Sequence, residues 1–403
     1  MRPFSPHAGS LPESETLAIA AAAKRLKAAG VDVAPFAAGE PDFDTPEHVK
    51  QAAIDAIRAN RTRYGPAAGL PALREAVAEH LRETGYAQAT PATSIIAPGA
   101  KGVLYLGLLT VLSPGDEVIV PAPAWLSYRQ MVQAAGARTV FVETDPAAGY
   151  VIDPDRVRAA ITPRTRVLIV NSPGNPTGAV QSAEVLRALG DIAVEHDLAV
   201  ISDEIYEKLV YAPATFTGFT AAAPAAADRT LIVNGVSKAY AMTGWRIGYG
   251  GGPAPWIDRM IRLQSHALSG PAEINQAAAL AALTGPQDVI DAMRDAFHRR
   301  RDVMMEALGK IPNLPLRMPE GAFYVFPDVS AYLGRAFEGQ EMTDAPTLAA
   351  ALLEHAHAAV VPGDAFEAPY AIRLSYACCE SDIRNGVERM GAFLARLDPV
   401  ATR

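Results

Sequence analysis

A chain of 403 residues, half of them hydrophobic and a fifth charged, has the composition of a globular protein of about two or three structural units rather than one small binding module. Its 36 basic against 44 acidic side chains leave a formal charge of −8, which disfavours a nucleic-acid-binding surface. The longest nearly apolar run, residues 102–112, is far shorter than the roughly 20 residues of a membrane-spanning helix, and no charged-then-apolar export pattern opens the chain.

An Ala-rich stretch over residues 17–29, ending at Gly30, predicts a helix closed by a glycine C-cap. From about residue 95 to 250, short β-branched runs alternate with amphipathic segments, the pattern of an α/β fold with a parallel sheet. Strands are expected at 117–120, 138–142, 166–170, 198–202 and 230–234. Val185, Leu189, Ile192, Ala193 and His196 recur at helical spacing, so residues 182–196 should lay one face on the sheet. The Ala cluster at 221–227 reads as a surface loop. After about residue 290 come a charged helical segment, short strands around 322–326 and 371–376, and a closing helix near 381–396, which suggests a second, smaller α+β domain. Cys378 and Cys379, the two cysteines, are adjacent and read as small buried thiols, because sequence neighbours rarely meet disulfide geometry without strain. The expected location is the cytoplasm, with neither a membrane nor a nucleic acid as partner.

Several familiar chemistries lack their motifs. The glycines at 248–252 miss the third glycine of a dinucleotide fingerprint and the strand-then-helix order it requires, and neither a phosphate-binding P-loop nor a G-x-S-x-G elbow occurs. His355 and His357 are two apart, not the four that would place two ligands on one helical face, and no metal site is expected.

The informative polar residues fall at strand ends, where open parallel sheets collect ligands. The 166–170 strand runs into NSPGNPTG, the 198–202 strand into SDEIY and the 230–234 strand into NGVSKAYAMTGWRIGY. These segments bring an amide, a carboxylate, a phenol and an amine. A lysine directly after a buried strand can lose hydration and so acquire the lowered pKa that condensation with a carbonyl requires. Taken singly, Asn175 could be a turn former, Asp203 a helix cap, Tyr206 a packed aromatic, and Lys238 and Arg246 surface charges.

Together these segments, with AAGEPDFDTPEHVKQAA (37–53), RYGPAAGLPALREAVAEHL (63–81), PGDEVIVPAPAWLSY (114–128) and IRLSYA (372–377), give the sequence a resemblance that covers nearly the whole chain. It resembles the class I, fold-type I pyridoxal-phosphate aminotransferases, and within them the bacterial aspartate aminotransferases. The resemblance implies a large domain at 47–290 with a mostly parallel central sheet flanked by helices. It also implies a smaller α+β domain built from both termini, with an arm and part of that domain at 1–46 and the remainder at 291–403.

It implies, further, that Lys238 holds pyridoxal 5'-phosphate and moves the substrate proton, that Asp203 pairs with the pyridine nitrogen, and that Tyr206 and Asn175 bond the ring oxygen while Trp125 stacks on the ring. The phosphate is expected on the turn Gly99-Ala100-Lys101, which opens an apolar helix, with Ser237 and Arg246. Tyr64 is expected to reach the phosphate of a neighbouring subunit, which implies a homodimer with shared active sites. Arg373 and the backbone of Gly39 are expected at the substrate α-carboxylate, and Lys101, Ser14 and Thr16 at a second carboxylate. The implied reaction is amino-group exchange between L-aspartate and 2-oxoglutarate in ping-pong order. An aromatic, alanine or broader preference, or a β-lyase, is the alternative on the same scaffold. The acidic stretch LPESE (11–15), Gly174 before Asn175, and HALSGPAEINQ (266–276) depart from the usual pattern and bear on substrate range rather than reaction type.

Overall fold

The computed structural model describes residues 15–399. Its centre is a seven-stranded sheet of β1 (Ser94–Ala97), β2 (Glu117–Ala122), β3 (Arg138–Glu143), β4 (Thr165–Asn171), β5 (Ala199–Asp203), β6 (Thr230–Gly235) and β7 (Gly248–Gly251). The spatial order is β1-β7-β6-β5-β4-β2-β3, and β7 alone runs against its neighbours. The five strands expected from the sequence are all present, each within two residues of the expected bounds; β1 and β7, short and glycine-containing at 248–251, complete the sheet.

Strands sandwiched between helical layers must be apolar on both faces, which is why these read as continuous Val/Ile/Leu runs. Val118, Val120, Val167, Ile169, Ile201, Leu231 and Val233 point into one core, together with Leu104 and Leu108 of helix α3 (Gly99–Val111). Ile119, Leu168, Val170 and Val200 point into the opposite core, against Leu186, Leu189 and Ala193 of helix α5 (Ala183–Glu195). Helices α1 (Glu15–Ala28) and α2 (Pro71–Glu83) precede α3 in the chain, and α4 (Ser127–Ala134) lies between α3 and α5.

Three expectations need correction. His196 lies beyond the last turn of α5 and is exposed, while Leu186 and Gly190 join the buried face. The Ala-rich segment 221–227 is not a surface loop: Ala222, Ala223, Ala226 and Ala227 are buried. The helix simply ends at Glu195, one residue short of His196. A Cβ on Gly190 would sit 2.3 Å from the Ala223 Cβ, so small side chains let the Ala-rich segment press against α5. Of the two free cysteines, Cys378 is buried and Cys379 is exposed, at the N-cap of the closing helix.

Toward the C-terminus lie α6 (Asp288–Leu308), β8 (Tyr324–Val325), β9 (Arg335–Phe337), β10 (Gln340–Glu341), β11 (Val361–Pro362), β12 (Ile372–Ser375), α7 (Glu380–Leu394) and β13 (Asp398–Pro399). They form two small antiparallel sheets, β11-β12-β8 and β10-β9-β13, packed with α6 and α7. The N-terminal segment is stitched to them: Ala34 N–H donates to His357 O at 2.8 Å and Ser375 N–H to Phe36 O at 2.7 Å. Residues 37–45 therefore leave the C-terminal sheets and cross toward the carboxyl ends of β4, β5 and β6. No helix of the described residues is long and apolar enough to cross a membrane.

Gly248 is the tightest close approach near these strand ends. A Cβ there would lie 2.1 Å from the Ala100 N atom and 2.2 Å from the Gly99 carbonyl carbon, both main-chain atoms at the start of α3. Gly248→Ala is expected to lower stability by about 1–3 kcal/mol in urea unfolding, because the start of α3 must shift to make room.

Candidate active site

The carboxyl ends of β4, β5 and β6 deliver Asn171, Asp203 and, just beyond Gly235, Ser237 and Lys238 to one place. There a cleft of about 710 Å³ opens, walled by Gly39, Ala100, Lys101, Trp125, Asn175, Asp203, Tyr206, Ser237, Lys238, Arg246 and Arg373. Eleven residues singled out by their strand-end positions or by resemblance thus converge, although they span positions 39 to 373. The parallel register explains part of this, since Asn171 pairs with Asp203 and Asp203 with Val233 in successive ladders.

At the floor, Asp203 Oδ2 accepts from the Tyr128 hydroxyl at 2.7 Å, and its Oδ1 accepts from the Ile205 N–H at 3.3 Å. Burial pushes its carboxyl up to about 6, with those two hydrogen bonds and the Lys238 charge pulling the other way. Lys238 is pushed down to about 8, first by burial and then by the neighbouring Arg373 cation, with Glu40 and Asp203 opposing. Its Nζ donates to the Gly39 carbonyl and lies 5.9 Å from the Tyr206 ring centroid. A desolvated amine with an accessible neutral form is suited to attack a carbonyl.

One end of the cleft suits an anion. Helix α3 begins at Gly99 after Pro98 with no side-chain cap, so its first N–H groups face outward. Gly99 adopts φ +78°, and a Cβ on it would sit 2.2 Å from Arg246 Nη2; the glycine is what allows the guanidinium to lie against this helix start. Ser237 adds a buried hydroxyl. Arg246 is held by donation from Nη1 to the Thr243 carbonyl at 2.7 Å.

A second cation lies across the cleft. Arg373 is only 2 % exposed, yet no carboxylate of the described residues pairs with it. Its Nη1 donates to Asn175 Oδ1 at 3.0 Å and its Nη2 to the Ala37 carbonyl at 3.3 Å, while the buried Nε has no partner. A buried guanidinium with unused donor capacity is set up to receive an anion from outside. Lys101 forms a third cationic point, 4.8 Å over the Trp125 ring, its ammonium lowered by burial first and then by Arg246. Trp125 itself meets Tyr128 edge-on at 5.4 Å.

Three polar cleft residues that hold the expected ones were not themselves expected. Tyr128 orients Asp203, Tyr324 shares a 3.0 Å hydroxyl contact with Tyr206, and Glu40 accepts from Thr243 at 2.7 Å beside Lys238. Tyr128 follows Trp125 within PAPAWLSY, and Glu40 follows Gly39, so adjacency to expected residues was the available signal. Tyr324 had none, because only the β8–β12 ladder brings it to the site. Tyr64 is not in the cleft: it is 93 % exposed. Ser14 lies outside the described residues, as does the side chain of Thr16.

This arrangement agrees with what comparison with known proteins finds. Residues 31–390 match the family described as aminotransferase class I and II. This chain is a class I and II aminotransferase. It is 44% identical over 385 residues to the aspartate aminotransferase of Geobacillus stearothermophilus, with 96% of this chain and 97% of that protein covered. It is 46% identical over 399 residues to the aspartate/prephenate aminotransferase of Thermus thermophilus, with 98% and 100% covered. A structure of the Thermus thermophilus aspartate aminotransferase with maleate superposes with a TM-score of 0.92 at 45% identity, covering 97% of this chain and 100% of that one. The mostly parallel sheet flanked by helices is the fold of these enzymes.

For the aminotransferase, the donor set describes the group the cleft can hold: an anionic end against α3 and Arg246, a carbonyl carbon at Lys238 and a basic ring nitrogen at Asp203. Without such a nitrogen the Asp203 charge is costly. Its folded pKa is raised, so the stability contribution falls as pH rises from about 4 to about 6 and stays low above. Asp203→Asn in the cofactor-free aminotransferase is expected to gain up to about 3 kcal/mol over wild type at pH 8 and little at pH 4, read by urea unfolding at both pH values.

Proposed function

We propose that this aminotransferase exchanges the amino group between L-aspartate and 2-oxoglutarate, giving oxaloacetate and L-glutamate in ping-pong order, with pyridoxal 5'-phosphate held at Lys238. The observation that carries the reading is the desolvated Lys238 amine near Asp203 in a cleft lined also by two cations, Arg373 and Lys101, that have no acidic partner among the described residues.

The cleft fits that cofactor on its own geometry. The α3 N-terminus, Ser237 and Arg246 would hold the phosphate, Asp203 the pyridine nitrogen, Tyr206 and Asn175 the ring oxygen, and Trp125 the ring face. When bound, the cofactor supplies an aldehyde to receive the amino group and a cationic ring to withdraw the electron pair at Cα. Asp203 keeps that ring nitrogen protonated, and Tyr128 keeps Asp203 aimed at it. Arg373 binds the α-carboxylate through its free donors and, with the Gly39 backbone, turns the Cα hydrogen toward Lys238. Lys238, once released, takes that proton from Cα and returns it. Lys101 meets the distal carboxylate of a four- or five-carbon dicarboxylate, with Ser14 and Thr16 as further donors.

A homodimer belongs to the same proposal. Tyr64 is exposed on the RYGP turn, and Ile57 and Leu268 are exposed large hydrophobics in flanking segments, with Gly270 near enough to Ala67 that a Cβ on it would lie 3.4 Å from the Ala67 Cα. A second copy covering that surface would bring its Tyr64 to the neighbouring phosphate. The proposed division at about residues 46 and 290 groups Ala34 and Phe36 with residues 293–397, with which they share a core, although Ile205, Tyr206, Leu209 and Tyr211 of the 47–290 segment pack into that core too.

Loading the protein with pyridoxal 5'-phosphate and reducing it with borohydride should leave the mass label on Lys238 alone; a label elsewhere would falsify the assignment. Because the free amine reacts, capture of the cofactor should speed up about tenfold per unit as pH rises toward about 8 and level off above. Lys101→Ala should lower kcat/KM for aspartate by tenfold or so while sparing alanine. Equal losses on both donors would remove Lys101 from substrate selection.

A further inference from the structure

Tyr324 touches both ends of the machinery the proposed reaction must coordinate, and the mechanism above makes no use of it. Its hydroxyl lies 3.0 Å from the Tyr206 hydroxyl, and its ring centroid lies 4.4 Å from the Arg373 guanidinium carbon. Phe366 stands 5.0 Å from that same guanidinium. The position is not incidental packing: β8 pairs with β12 so that Tyr324 opposes Ser375, two residues from Arg373, and its side chain both is buried and lines the cleft. Phe323 and Tyr206 meet edge-on at 5.6 Å, which holds the phenol pair in place.

Two phenols that share one hydrogen bond have two arrangements, since either can donate. If Tyr206 donates to Tyr324, its proton is turned away from the cleft. If Tyr324 donates to Tyr206, the Tyr206 proton is free to point at an oxygen in the cleft and is polarised into a stronger donor. The surrounding charges select between them. Burial raises the pKa of both phenols, so both keep their protons at neutral pH, and Arg373 pulls both back down. Asp203 acts on Tyr206 in addition and favours its holding a proton, which leaves Tyr324 the readier donor. Lys238, Glu40 and Arg246 are the other charged groups lining this part of the cleft.

We propose that Tyr324 is a positioning residue: it donates to Tyr206, aims the Tyr206 proton into the cleft, and ties that orientation to the Arg373 cation that receives the substrate carboxylate. The inference rests on the proposed function, in which Tyr206 bonds the cofactor's ring oxygen. Losing the donated bond weakens Tyr206 as a donor, leaves the anionic ring oxygen less stabilised, and so raises the pH at which the lysine-linked chromophore loses its proton.

The test uses the protein loaded with pyridoxal 5'-phosphate and four variants: Tyr324→Phe, Tyr206→Phe, the double variant, and Tyr324→Leu. Tyr324→Phe keeps the ring on Arg373, so KM for aspartate should stay within about twofold. Its kcat should fall by about threefold to tenfold and the chromophore's titration midpoint should rise by about half a unit or more, the scale of one hydrogen bond. In the Tyr206→Phe background, the same substitution should change neither, because its effect runs through Tyr206. Tyr324→Leu also strips the aromatic face from Arg373 and should raise KM about tenfold. An unchanged midpoint and kcat in Tyr324→Phe, or the same losses with and without Tyr206, overturns the inference while leaving the proposed function intact. A wild-type protein that forms no chromophore with the cofactor overturns both.

Discussion

The structure depends on keeping a carboxylate and an amine out of water at the ends of adjacent parallel strands. Asp203 closes β5 and Lys238 follows β6, and burial disfavours the charge on each, raising one and lowering the other. The cost is offset locally by Tyr128, the Ile205 N–H and the Gly39 carbonyl, each from a different part of the chain. It is offset only in part. Lys101, Lys238, Arg246 and Arg373 line the same cleft against Asp203 and Glu40, so the cavity carries more positive than negative groups. Such an imbalance in a low-dielectric pocket attracts anions and orients them, which is what a phosphorylated cofactor and a dicarboxylic substrate require.

The scaffold makes that imbalance tolerable by rigidity. Alternating residues of the sheet feed two apolar cores, so the strand ends cannot drift to relieve the charges. Glycines appear where backbone must approach backbone or a guanidinium, as at Gly99 and Gly248. The segment 37–45 then closes the arrangement from the C-terminal side, with Ala37 accepting from Arg373, Gly39 from Lys238 and Glu40 from Thr243. Asp42 pairs with Arg300 at 2.6 Å, and Thr45 donates to the Ala241 carbonyl at 2.8 Å, so this crossing strap is anchored on both sides of the cleft.

Selectivity is a separate layer built on this frame. Arg373 lies between the rings of Tyr324 and Phe366 with its Nε free, a geometry suited to one planar carboxylate. Lys101 is instead a compact charge over an indole. The proposed reading thus gives the α-carboxylate to a planar fork and the distal carboxylate to a point charge.

Local pattern alone was enough for the strands, since a parallel strand buried on both faces leaves an unmistakable apolar run, and for the cluster of polar residues directly after β4, β5 and β6. The strand-to-site rule made Asn175, Asp203 and Lys238 legible one element at a time. What local pattern could not supply were contacts between distant elements. Tyr324 enters the site through a ladder that no spacing rule links to Lys238, and adjacency to Trp125 marked Tyr128 without showing its bond to Asp203. The Ala-rich stretch at 221–227 is buried because Gly190, far away in sequence, leaves room for it. Tyr64 lies exposed outside the cleft, so the role proposed for it depends on a second copy that one chain's pattern does not contain. The amino-acid order by itself thus determined which chemistry the strand ends carry. Only tertiary packing decided how strongly each charge is desolvated and which hydroxyl faces which cation, because those depend on distances between segments that the chain brings together only when folded.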